Sequence, residues 1–177
     1  MVHKRIMGIA AAILLGLGLA VAIAAPAAAD DPAFGPMRIT LGGYGGKCLD
    51  VTGASTDNGA LLQLYDCLPN QWNQQWYFYA KPGCFDCYQI VPRHSWKCMD
   101  VVGYSTANGA LVQQYDCLGY NQLNQIWQLT ATGNGYFTLV AMHSYKYLVR
   151  DGNYNGALIY QSSTASNNLW YASSYLG

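Results

Sequence analysis

Two segments of the chain repeat each other without a gap, and this repeat most narrows the folds available to the sequence. Residues 47–67 read KCLDVTGASTDNGALLQLYDC and residues 97–117 read KCMDVVGYSTANGALVQQYDC, identical at 15 of 21 positions. A weaker third copy, KYLVRDGNYNGALIYQ, begins at Lys146 and is two residues shorter before its Asn-Gly-Ala-Leu. One such unit cannot bury its own apolar face, so the sequence predicts three units that pack on one another.

Each copy is followed by a tryptophan in a similar phrase rich in asparagine and glutamine. The three residues are Trp76, Trp127 and Trp170, at spacings of 51 and 43. Because equivalent positions of stacked units share one core, we expect the three side chains to meet near a pseudo-three-fold axis.

The pattern between these landmarks is typical of strands. Runs such as 76–80, 88–91 and 136–140 are rich in aromatic and β-branched residues and are separated by glycine-, asparagine- and proline-containing turns. No window after residue 29 keeps a helical period. An all-β fold of three units is too few for a propeller, so we predict a β-trefoil with repeats of about 37–83, 84–134 and 135–177.

The N-terminal 29 residues have the order of a secretory signal peptide. Lys4 and Arg5 precede an apolar run over 6–25, and three alanines end at Ala29. The run is also near the lower length limit for an uncleaved membrane anchor. We expect a cleavable signal over 1–29, a short linker over 30–36, and a secreted, extracellular protein. The alanine-rich signal resembles bacterial ones.

The composition after residue 29 argues against several classes of partner. Seven Lys and Arg face nine Asp and no Glu, for a formal charge of −2. Such a surface offers no electrostatic footprint for nucleic acid or an anionic membrane. No second apolar stretch reaches membrane length, so we expect no membrane insertion once the signal is removed.

Six cysteines behind a signal peptide predict disulfides rather than a metal site. Two pairs sit at matching places in the repeats, each 19 residues apart, which favours Cys48–Cys67 and Cys98–Cys117. Cys84 and Cys87 are then left to each other. Their Cys-x-x-Cys spacing also occurs in redox pairs, but no βαβ pattern accompanies it, so a small structural loop is favoured.

These motifs together resemble those of a known family. The order Cys-x-Asp-Val, Gln-x-aromatic-x-Cys and Asn-Gln-x-Trp occurs in full in the first two units, and it is similar to the repeat of ricin B-chain-type β-trefoil lectins. The resemblance covers about 37–177. It implies a carbohydrate-binding protein with one shallow pocket in each unit that keeps the set.

The resemblance also implies which residues would bind a sugar. A neutral sugar needs a charged acceptor for its hydroxyls, amides that donate and accept, and a flat aromatic ring beneath its C–H face. In the first unit these residues are Asp50, Gln63, Tyr65, Asn73 and Gln74. In the second they are Asp100, Gln113, Tyr115, Asn124 and Gln125.

The third unit departs from the set. Val149 stands at the aspartate position, and Tyr160 and Ser162 stand at the glutamine and aromatic positions. Asp151 is nearby in a stretch, Asp-Gly-Asn-Tyr-Asn-Gly, that resembles actinohivin-like trefoil lectins. We expect two sugar sites, with the third unit closing the barrel.

The sequence favours binding over catalysis. Glycosidases need two carboxylates about 5–9.5 Å apart, whereas Asp50 and Asp100 lie on different units and no hydrolase motif is present. We therefore expect a non-enzymatic lectin with no cofactor and no metal. Galactose-type or xylan- and arabinan-type ligands are expected, and a mannose-type ligand is compatible. A separate catalytic or toxin chain is a compatible partner. The alternative is a protein-binding trefoil, such as a toxin-complex subunit or a protease inhibitor.

Overall fold

The computed structural model describes residues 31–41 and 46–174, so the expected signal peptide lies outside the described residues. No α-helix occurs in the described ranges, and short 3₁₀ turns at Thr52–Ala54, Trp72–Gln74, Val102–Tyr104 and Leu123–Gln125 join strands. The described residues contain twelve strands: β1 (Phe34–Thr40), β2 (Lys47–Val51), β3 (Leu62–Asp66), β4 (Trp76–Ala80), β5 (Cys87–Pro92), β6 (Cys98–Val101), β7 (Val112–Tyr115), β8 (Trp127–Gly133), β9 (Tyr136–Ala141), β10 (Lys146–Arg150), β11 (Ile159–Ser162) and β12 (Trp170–Ser174).

Six of the strands close into an antiparallel barrel. β1 pairs with β4, β4 with β5, β5 with β8, β8 with β9, β9 with β12, and β12 returns to β1. The other six form three hairpins, β2–β3, β6–β7 and β10–β11. Each unit therefore supplies four strands, and closure leaves the barrel without a free edge. The prediction of an all-β trefoil is confirmed.

The three repeat tryptophans are fully buried in one core, as the repeat predicted. Each indole N–H donates a hydrogen bond to a backbone carbonyl in the hairpin of its own unit. The donor–acceptor distances are 3.1, 3.0 and 3.1 Å, for Trp76 to Leu49, Trp127 to Met99 and Trp170 to Leu148. A buried indole is thus satisfied while it fixes the position of a hairpin strand.

The predicted disulfides are all present. Cys48 is bonded to Cys67, Cys98 to Cys117, and Cys84 to Cys87. The first two link the ends of β2–β3 and β6–β7, and the third closes the turn between β4 and β5.

The asparagine of each Asn-Gly pair forms hydrogen bonds between its own unit and the next one. The Asn58 side chain donates to the Asp116 carboxylate at 2.8 Å and accepts the Asp116 backbone N–H at 3.0 Å. Asn108 makes the same pair of contacts with Ser163. Asn155 donates to the carboxylate of Asp66, which completes the cycle among the three units.

Buried glutamines add a second contact at two of the three junctions. The Gln114 amide donates to the carbonyls of Ser55 and Asp57 in the preceding unit, at 2.7 and 2.9 Å, and its oxygen accepts from Ser95. Gln161 repeats this arrangement. At the third junction the equivalent residue is Leu64, which makes backbone bonds only.

We predict that Gln114→Leu, which copies the residue at position 64, destabilises the protein. It removes the donor to the Asp57 carbonyl, one of the two donors to the Ser55 carbonyl and the acceptor of the Ser95 hydroxyl. The free energy of unfolding should therefore fall by roughly 1–3 kcal/mol. Urea denaturation with the disulfides intact measures this.

Gln161→Leu is the matched variant at the next junction and should lose a similar amount. Unchanged stability in both variants would contradict the role assigned to these side chains.

Candidate functional site

A cleft of about 360 Å³ opens beside the first hairpin, and all five residues predicted for the first unit line it. Antiparallel pairing places Asp50 on β2 directly opposite Gln63 on β3. Tyr65 lies two residues further along β3, on the same face. The turn Trp72–Gln74 supplies Asn73 and Gln74. Residues from two strands and one turn thus meet at one point.

Amide groups surround the carboxylate of Asp50, which is nearly buried. One oxygen accepts from Gln63 at 3.0 Å. The other accepts from Asn73 at 2.8 Å and from Gln74 at 3.0 Å. Asn73 also donates to the carbonyl of Val51. These bonds hold the carboxylate in one orientation at the cleft floor.

The second unit builds the same arrangement in a cleft of about 270 Å³. The Asp100 carboxylate accepts from Gln113 at 2.9 Å, from Asn124 at 2.8 Å and from Gln125 at 3.0 Å. Matching distances in two units follow from the repeated sequence and from the same β-pairing of Asp100 with Gln113.

The glutamines of the Trp phrase hold the aspartates in place. Gln74 and Gln125 are fully buried. Each amide nitrogen bridges the aspartate and a backbone carbonyl, and each amide oxygen accepts a backbone N–H from Leu68 or Leu118 at 3.0 Å. Of the ten predicted residues, Gln125 is the one that is absent from the cleft lining. These contacts make Gln74 and Gln125 positioning residues.

The two tyrosines at the edge of the clefts are accessible. Tyr65 is 38% exposed and Tyr115 is 37% exposed, and each lines its cleft. A partly exposed ring beside a fixed carboxylate provides an apolar face and a charged acceptor for the same ligand.

The carboxyl groups of the clefts and those of the unit junctions are shifted in opposite directions. Burial raises the pKa of Asp50 and of Asp100 above the ordinary 3.8, although the surrounding amides oppose the rise. The pKa of Asp66 and of Asp116 is lowered, chiefly because each accepts a hydrogen bond from a lysine ammonium, with an asparagine as second donor.

Several residues line the clefts that the sequence analysis did not select. Both clefts include a glycine and the residue after it from the turn that follows the aspartate strand, together with a leucine and a glutamine. They are Gly53, Ala54, Leu68 and Gln71 in the first, and Gly103, Tyr104, Leu118 and Gln122 in the second. The glutamines stand two residues before Asn73 and Asn124, so the repeat register could have identified them.

The third unit has a different arrangement at the equivalent position. Val149 is buried and pairs with Tyr160, as Asp50 pairs with Gln63. The Asp151 carboxylate, which is exposed, accepts from the backbone of Leu158 at 2.9 Å and from the hydroxyl of Tyr154 at 3.1 Å.

Two further features bear on function. Within residues 31–41 and 46–174, no three side chains of the metal-ligating types are grouped closely enough to hold an ion. No helix in those ranges has the length and apolar character to cross a membrane.

The sequence of the trefoil domain matches a described family. Residues 37–115 and 72–162 match the ricin-type β-trefoil lectin domain-like family. The chain belongs to this family. The resemblance drawn from the repeat motifs is confirmed.

Solved structures agree with this membership. The designed three-fold symmetric protein ThreeFoil is 37% identical, with a TM-score of 0.69, and the match covers 77% of this chain and 96% of that one. An exo-β-1,3-galactanase from Clostridium thermocellum is 28% identical with a TM-score of 0.71, over 80% of this chain and 30% of the galactanase. The agglutinin of Abrus precatorius, at 23% identity and a TM-score of 0.60 over 80% of this chain and 49% of that one, shares the fold.

We predict that acidification removes ligand binding before it unfolds the protein. Binding that needs ionised Asp50 and Asp100 is complete above their raised pKa values and is lost as the pH falls through them. The stability contributed by ionised Asp66 and Asp116 is lost only as the pH falls through their lowered pKa values.

Retention on a polysaccharide matrix and near-ultraviolet circular dichroism, followed over one pH series, separate the two events. Coincident loss of retention and of the circular dichroism signal would contradict the assignment.

Proposed function

We propose that the protein is a secreted, non-catalytic lectin that binds carbohydrate through two clefts, one around Asp50 and one around Asp100. The observation that carries the proposal is the duplicated set of a buried carboxylate held by three amides beside an exposed tyrosine ring. A sugar hydroxyl can donate to the carboxylate while the C–H face of the ring packs on the tyrosine.

A second observation supports a ligand rich in hydroxyls. The side-chain oxygens of Asn73 and Asn124 are buried and have no hydrogen-bond partner among the described residues, although both asparagines line the clefts. An unpaired buried acceptor is unfavourable. A hydroxyl donor that enters with a ligand would relieve it.

Two features favour binding without catalysis. Asp50 and Asp100 lie in separate clefts, each with three amide donors and, among the described residues, no second carboxylate in the lining. A glycosidase requires two carboxylates that flank one bond. The protein would therefore act as a binding module, alone or beside a separate catalytic or toxin chain.

The expected sugars are of the galactose type or the xylan and arabinan type. Similarity to part of an exo-β-1,3-galactanase supports the first. Single shallow clefts bind weakly, so two on one rigid domain would gain retention mainly by engaging neighbouring sugars of one polysaccharide.

Tyrosine substitutions test the proposal on a glycan and polysaccharide array. Tyr65→Ala and Tyr115→Ala should each lower the affinity of one cleft by roughly two- to tenfold, because each removes a stacking ring. Together they should lower retention far more than either alone, because avidity is lost.

Ser162→Ala is the matched control, since Ser162 occupies the tyrosine position of the third unit, and it should leave retention unchanged. Retention that survives both tyrosine substitutions, or that Ser162→Ala removes, would refute the two-cleft proposal. Absence of any glycan binding by the folded protein would favour a protein partner instead.

A further inference from the structure

The two clefts are lined by equivalent residues, but one wall carries a different side chain in each. The 3₁₀ turn after the aspartate strand places Ala54 in the first cleft and Tyr104 in the second. Among the described residues, the second cleft therefore has two tyrosines in its lining, Tyr104 and Tyr115, whereas the first has one, Tyr65. The second cleft is also the smaller, at about 270 Å³ against about 360 Å³.

The backbone at this position is set by the turn and not by the side chain. Ala54 has a φ of 49° and Tyr104 a φ of 56°, both in the left-handed region. A bulky side chain is unfavourable there, and such outliers concentrate where a ligand is held. Ala54 has nearly the same φ, so the left-handed backbone belongs to the turn in both units. The unfavourable backbone energy at Tyr104 therefore does not arise from a distortion of the second unit alone.

The ring of Tyr104 packs against a histidine ring and remains partly exposed to solvent. It contacts the His143 ring edge-on, with centroids 4.9 Å apart and planes at 66°. His143 is itself fixed, since its Nε2 lies 2.8 Å from the carbonyl oxygen of Ser105. Tyr104 nevertheless remains 45% exposed.

The first unit has the equivalent histidine, but it has no tyrosine at position 54 to pack against it. His94 Nε2 lies 2.8 Å from the carbonyl oxygen of Ser55, as His143 does from Ser105. Ala54 leaves that side of the first cleft open. Among the equivalent positions that line both clefts, the residue type differs at one, Ala54 in the first cleft and Tyr104 in the second.

We propose that Tyr104 is a specificity-determining residue that makes the second cleft the tighter and more selective of the two sugar sites. A sugar ring bound in the second cleft would contact aromatic side chains from two elements, β7 and the turn after β6. The smaller volume of that cleft would restrict which sugars enter. The wider first cleft would accept a broader set of sugars with lower affinity. This inference rests on the proposed function.

Variants that retain only one working cleft allow the affinities of the two clefts to be compared. Asp50→Ala leaves only the second cleft and Asp100→Ala only the first, and both variants are checked for folding by circular dichroism. Isothermal titration with galactose, arabinotriose and xylotriose should give a lower Kd for the best probe of the second cleft than for any probe of the first.

Reciprocal exchanges then identify the cause. Tyr104→Ala in the Asp50→Ala background should weaken binding roughly two- to tenfold. Ala54→Tyr in the Asp100→Ala background should strengthen it by a similar factor, because position 54 already has the left-handed backbone. Tyr104→Phe keeps the ring and should retain most of the affinity.

The results distinguish the role of Tyr104 from the two-cleft lectin proposal on which it rests. Equal Kd values for the two isolated clefts, or binding that Tyr104→Ala leaves unchanged, would overturn the role of Tyr104 and leave the two-cleft lectin standing. If neither the isolated clefts nor the unmodified protein bound any of the three sugars, both would fall.

If an aspartate variant does not fold, the exchange is made in the otherwise unmodified chain. Ala54→Tyr combined with Tyr104→Ala should reverse the order in which the two clefts fill in an NMR titration. An unchanged order would overturn the inference.

Discussion

The hydrogen bond from each buried indole to a hairpin carbonyl connects the core of this protein to its surface clefts. In the first two units the accepting carbonyl belongs to Leu49 or Met99, the residue just before the cleft aspartate. Packing of the tryptophan therefore fixes the strand that carries Asp50 or Asp100. The third unit keeps the same bond to Leu148 but follows it with Val149, so it keeps the scaffold and loses the carboxylate.

Closure of the three units depends on contacts that also shape the clefts. The carbonyl of Ser55, just beyond the first cleft, accepts hydrogen bonds from His94 and from Gln114 of the second unit. His143 and Gln161 hold Ser105 in the same way. Each cleft wall is thus stabilised by the neighbouring unit, and the two sites require the assembled trefoil.

Much of this architecture could be predicted because it is local in sequence. The repeat predicted the number of units, the equivalent tryptophans and two of the three disulfides, and the motifs within it placed Asp50 and Gln63 in one set of site residues. It did not reveal that Asn58 bonds to Asp116, because repeated motifs identify equivalent residues and not their partners in other units. The contribution of Tyr104 was also missed, because a difference between copies has meaning only once both occupy the same turn. The ligand roles of the cleft residues stay predictions.

If the set of carboxylate, amides and tyrosine is what binds sugar, the first two units bind it and the third does not. An NMR titration of the folded domain with galactose and with xylotriose tests this most directly, since backbone amide shifts report each unit separately. Sugar binding in the two clefts should shift the amide signals of residues 50–54, 63–65 and 71–74 and those of their counterparts at 100–104, 113–115 and 122–125. Shifts confined to residues 149–160, or none with any sugar retained by the domain, would contradict it.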